Sequence, residues 1–142
     1  MSKKRKLNIL LLVLGLILTG CVKKQIALPD EAELESIVLS NPEEKSNVPT
    51  IITSNKKNKN IIENIKLNSK KSNKESHNDT PTNIDHYIKL EFFHVKGGTS
   101  VAYIYRIKDN YYIEQPYNGI WKITQETYDN IDNLIVEELT NS

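Results

Sequence analysis

From His86 onward the chain alternates with a period of two. His86, Ile88, Leu90, Phe92 and His94 fall on one face, and Tyr87, Lys89, Glu91, Phe93 and Val95 on the other. This is the pattern of a half-buried strand, so the stretch must belong to a sheet whose two faces differ. Lys96-Gly97-Gly98-Thr99 supplies a tight turn, because glycine accepts positive φ at no steric cost. The return segment from Ser100 to Lys108 sets Val101, Tyr103, Tyr105 and Ile107 against Ala102, Ile104 and Arg106. Lys108-Asp109-Asn110 turns into Tyr111 to Gln115, and Pro116-Tyr117-Asn118-Gly119 turns again into Ile120 to Ile123. Short turns between successive strands predict an antiparallel meander.

Two helices are expected to cover one face of it. Ser54 or Asn55 can cap the first, running to about Asn68, with Ile61, Ile62 and Ile65 on one side. Lys56, Lys57, Lys59 and Lys66 occupy its other side and read as a solvated face. Thr124 can cap the second, Gln125 to about Leu139, whose stripe is Tyr128, Ile131 and Ile135. Earlier in the chain, Leu34 to Ser40 reads as a strand and Val48 to Thr53 as an edge strand, since Pro49 cannot donate to a central ladder. The prediction is one α+β domain over residues 34–139, an antiparallel β-meander sheet with two helices packed on one face. Ser69 to Asp85 is polar throughout and reads as a long loop, a kind of segment that is usually functional or disordered.

The N-terminus carries an address. Lys3, Lys4, Arg5 and Lys6 precede the run Leu7 to Leu18, and Thr19 and Gly20 lead into Cys21. A membrane span needs about 20 apolar residues, so this run predicts a cleaved signal peptide over residues 1–20. Leu18-Thr19-Gly20-Cys21 resembles a bacterial lipobox, in which the cysteine is acylated and cleavage falls between Gly20 and Cys21. Residues 21–33 are then the lipidated N-terminus and a tether, because Val22 to Asp30 lacks periodicity and holds few apolar residues. The expected location is the extracytoplasmic face of the cell membrane, held by lipid on Cys21. A buried free thiol and an uncleaved anchor are the bland alternatives.

Charge and motifs narrow the chemistry. The leader takes four of the 19 basic residues and none of the 18 acidic ones, so the remainder is mildly acidic. This argues against nucleic acid as a partner, and no steering by an acidic membrane is expected either. Cys21 is the sole cysteine, which leaves no disulfide or thiolate metal site. His77, His86 and His94 show no metal-ligand spacing, so no metal and no cofactor are expected. There is no Gly-x-Ser-x-Gly elbow and no phosphate-cradling loop.

An enzyme would rest on His77, Asp79 and Glu114 alone, acting as an acid–base set. The tyrosines of the meander and Trp121 combine apolar area with polar tips, which suits either sheet packing or a partner-binding face. The favoured reading is a non-catalytic binding or sensing module for an envelope protein or a cell-wall component. Its candidate surface joins the loop Asn73 to Pro81 with the turn Gln115 to Gly119, and its residues are Asn73, His77, Asp79, Gln115, Tyr117, Asn118 and Trp121. A third reading makes the leader the product, as a signalling peptide ending at Gly20.

Tyr111-Tyr112-Ile113-Glu114-Gln115-Pro116-Tyr117-Asn118-Gly119-Ile120-Trp121, with Asn73-Lys74-Glu75-Ser76-His77-Asn78-Asp79-Thr80-Pro81, resembles a domain family of unknown function in lipoproteins and secreted proteins of low-GC Gram-positive bacteria. Similar domains follow the membrane part of antirepressor-type metallopeptidases akin to β-lactam sensors. The resemblance covers roughly Leu34 to Leu134 and implies an extracytoplasmic sensing or interaction module. It carries over no catalytic residue.

Overall fold

A computed structural model describes residues 24–42 and 48–141. The leader, Gly20 and Cys21 lie outside these residues. The seven strands are β1 (Leu34–Ser40), β2 (Thr50–Ile52), β3 (Lys70–Lys71), β4 (Tyr87–His94), β5 (Thr99–Ile107), β6 (Asn110–Gln115) and β7 (Gly119–Ile123). They form a single antiparallel sheet in the order β2-β1-β4-β5-β6-β7-β3. Two helices, α1 (Asn55–Asn68) and α2 (Gln125–Asn141), complete an α+β fold. The meander runs from β4 through β7, and β1 pairs with the outer side of β4.

Local chemistry accounts for the helix starts. The Ser54 hydroxyl accepts a hydrogen bond from the Lys57 amide, and Thr124 Oγ1 accepts one from the Thr127 amide at 3.1 Å. Thr127 Oγ1 then donates to Asn64 Oδ1 at 2.7 Å and ties the two helices together. On the helix side of the sheet, Ile37, Leu39, Ile88, Leu90, Phe92, Ile104, Ile113 and Trp121 meet Ile61, Ile62 and Ile65 of α1 and Ile131 and Ile135 of α2 in one core. The opposite face carries a second, aromatic cluster of Tyr103, Tyr105, Tyr112 and Ile120, with Tyr87, Val101, Ile107 and Ile84 against it. Tyr87 meets Tyr103 edge-on at 5.3 Å, a favoured aromatic geometry.

Two expectations need correction. The stretch read as a loose tether is packed from Lys24 onward, because Ile26 and Leu28 are buried in the main core. Two alternating apolar residues suffice once a hydrophobic surface is already present to receive them. The stretch from Ser69 to Asp85 is also not all loop: Lys70 and Lys71 form β3, registered opposite Lys122 and Trp121 of β7.

Candidate functional site

The loop between β3 and β4 lies across the aromatic face, and one buried carboxylate holds it there. Glu114 of β6 sits on the face opposite the helices, where Ser76 Oγ donates to its Oε1 at 2.6 Å and Tyr105 Oη to its Oε2 at 2.9 Å. Ser76 and Glu114 are both buried. A buried carboxylate with two hydroxyl donors is a satisfied group, and it clamps the loop to the sheet. Beside the clamp is a recess of about 470 Å³, whose walls include Lys74, His77, Asn78, Tyr105 and Glu114.

The β6–β7 turn stands next to this loop. Asn118 N donates to Gln115 O at 3.0 Å, which makes Gln115 to Asn118 a β-turn with Pro116 and Tyr117 at its centre. Tyr117 has φ 59°, a left-handed conformation that bulky side chains seldom adopt, and it is 66% exposed. Its phenol faces Asp79, whose hydrogen bond and charge raise its pKa above the ordinary tyrosine value. Gly119 follows at φ 148°, and a Cβ there would collide with the ammonium of Lys71. The loop and the turn singled out in the sequence therefore do meet.

The candidate residues divide into two groups. Asn73, His77, Asp79 and Tyr117 are exposed. Trp121 is 0% exposed and Gln115 is buried, so neither lies on a surface. Trp121 projects into the helix-side core because it stands one residue out of phase with Ile120, which faces the tyrosines. Its indole N–H donates to Lys24 O at 3.0 Å. Gln115 Nε2 donates to Ala27 O at 2.6 Å, and its Oε1 accepts from Asn118 Nδ2 at 2.9 Å. Lys24 Nζ in turn donates to Asn118 O at 3.1 Å. Gln115, Asn118 and Trp121 thus fasten the N-terminal strap, Lys24 to Asp30, to the β6–β7 hairpin.

The members of the acid–base set each have a nearer partner. His77 and Glu114 border one recess, but His77 Nε2 sits 3.2 Å from Glu75, Glu114 is engaged by Ser76 and Tyr105, and Asp79 faces Tyr117. Among the described residues, no group of three or more His, Cys, Asp or Glu side chains could hold a metal ion. Tyr105 is marked in the sequence only as one of the meander tyrosines, and Ser76 is not marked by itself. The signal for Tyr105 was its cross-strand place on the Glu114 face, while Ser76 had none.

These features define a small α+β domain with helices on one face and a loop clamped over tyrosines on the other. The chain belongs to the DUF5301 family, described as "Domain of unknown function (DUF5300)", which it matches over residues 22–122. That span begins at the N-terminal strap and stops before α2. No curated protein matches the chain. A protein from Ruminococcus gnavus solved by NMR is 22% identical with a TM-score of 0.59, over 73% of this chain and 99% of that one. At this identity the likeness concerns the fold alone.

Proposed function

We propose that the chain is a lipid-anchored lipoprotein of the extracytoplasmic membrane face, and that its domain is a non-catalytic binding module for an envelope protein or cell-wall component. The leader and Cys21 support the anchor. The binding reading rests on Tyr117, a large side chain kept in solvent on a strained turn beside Asp79. Strain of this kind costs on the order of 1 kcal/mol and gathers at sites where a side chain is needed for something other than stability. The neighbouring clamp immobilises the loop, so the surface is ordered before any partner arrives.

A Tyr117→Gly variant separates function from fold, since glycine suits this turn position without strain. Stability should hold or rise by about 0.5–1 kcal/mol while affinity for the partner falls. The measurement compares proteins captured from solubilised membranes by wild type and by the variant, with the thermal midpoint of each. Identical captured sets would eliminate Tyr117 as the contact. Mass of the mature N-terminus tests the anchor, which requires an acylated Cys21.

A further inference from the structure

The overall charge argues against an acidic membrane surface, but the fold gathers its lysines unevenly. Where the strap, the end of α1 and β3 converge, Lys24, Gln25, Lys66, Ser69, Lys70 and Lys71 line a recess of about 600 Å³. Among the described residues, Lys66 alone of these four lysines forms an ion pair, with Asp30 at 3.3 Å. Glu75 also acts on the group, through Lys71. Lys59, on the same helix, is by contrast placed between Glu31 at 3.3 Å and Glu63 at 3.9 Å. Lys71 lies over the Trp121 ring at 4.7 Å. Burial, and then the charge of Lys24, lower its pKa, and an anion docked here would offset the repulsion from Lys24.

The position of the recess identifies the anion. Lys24 is fixed by the bonds from Trp121 to its carbonyl and from its ammonium to Asn118. Cys21 precedes it by three residues, a reach of at most about 11 Å. A headgroup layer is roughly 5–8 Å deep on each side of the hydrocarbon core. The strap leaves no spacer, so an acylated Cys21 puts this edge of the domain at headgroup level.

We infer that the Lys24–Lys66–Lys70–Lys71 recess binds the phosphates of anionic phospholipid headgroups in the bilayer that holds Cys21, and so sets the tilt of the domain. Retention belongs to the acyl chains; the recess supplies orientation. This rests on the lipid-anchor reading above.

The test uses the full acylated chain extracted from membranes and placed in nanodiscs of phosphatidylcholine alone or with phosphatidylglycerol. Lysine acetylation rates and the mass of the N-terminal peptide are read from the same samples. Lys24, Lys66, Lys70 and Lys71 should react about fivefold more slowly in the anionic discs, and the protection should fade at high salt. Lys56 and Lys57, at the other end of α1, should react equally in both. Equal rates for the four lysines in the two discs, with Cys21 acylated, overturn the headgroup site and leave the anchor standing. A bare Cys21 or a retained leader overturns the anchor, and the headgroup site falls with it.

Discussion

Tyr105 and Asn58 show how single buried polar groups act in this fold. Burial, then the hydrogen bond to Glu114 and that group's charge, raise the Tyr105 phenol far above its ordinary value. The unfolded chain releases this proton near pH 10 and the folded chain retains it. The contribution of Tyr105 is therefore full below about pH 10 and is lost progressively as pH rises beyond it. A Tyr105→Phe variant should be less stable at pH 7 by about 1 kcal/mol, because Glu114 loses a donor. Its denaturation midpoint should also fall less steeply with alkali. Parallel slopes would assign the alkaline loss to Tyr103 and Tyr128, whose phenols burial also raises. Asn58 is 0% exposed on the α1 face that carries Ile61, Ile62 and Ile65, and its amide has no hydrogen-bond partner among the described residues. Replacing it with Leu, of the same branching, should raise stability by about 1–2 kcal/mol in denaturant unfolding. A loss instead would show that the amide is bonded.

Among the elements, the strap from Lys24 to Asp30 departs furthest from expectation. Its Ile26 and Leu28 are core residues, and its carbonyls at Lys24 and Ala27 accept from Trp121 and Gln115. An Ile26→Ala change should cost about 2–4 kcal/mol, read as a lower thermal midpoint, whereas in a loose tether it would cost nothing. The strands β4 to β7 and both helices were legible beforehand, because period two, glycine turns and the Ser54 and Thr124 caps are written in adjacent residues. The strand β3 was not. Two lysines carry no hydrophobic pattern, and only the free edge of β7 makes them a strand. The loop and the turn that meet at Asp79 and Tyr117 were legible as polar residues and turn chemistry. The Ser76–Glu114–Tyr105 clamp beneath it was not, since nothing in a serine 38 residues away announces its partner.

At the scale of the whole molecule, the sheet ends in two short edges. β2 has three residues and follows Pro49, while β3 is a pair of lysines. Short, charged or proline-flanked edges discourage pairing with other chains. The helix α2 lies beyond the residues matched by the family, yet Ile131 and Ile135 belong to the main core and the Tyr128 ring packs at a tilt against Tyr111, 5.0 Å between centroids. A chain ending at Thr124 should lose more than about 4 kcal/mol and bind hydrophobic dye. An unchanged cooperative transition would show that α2 is dispensable.

The sequence by itself determined the identities of β1, β2, β4 to β7 and both helices, the turns and the antiparallel α+β class, because each depends on residues within a few positions of one another. Tertiary structure alone decided that Trp121 and Gln115 face inward, that β3 exists, and that the strap closes the core from 97 residues away. It also decided that four lysines share one recess. Those outcomes depend on which surfaces the assembled sheet leaves unpaired, a property that exists only after the strands have met.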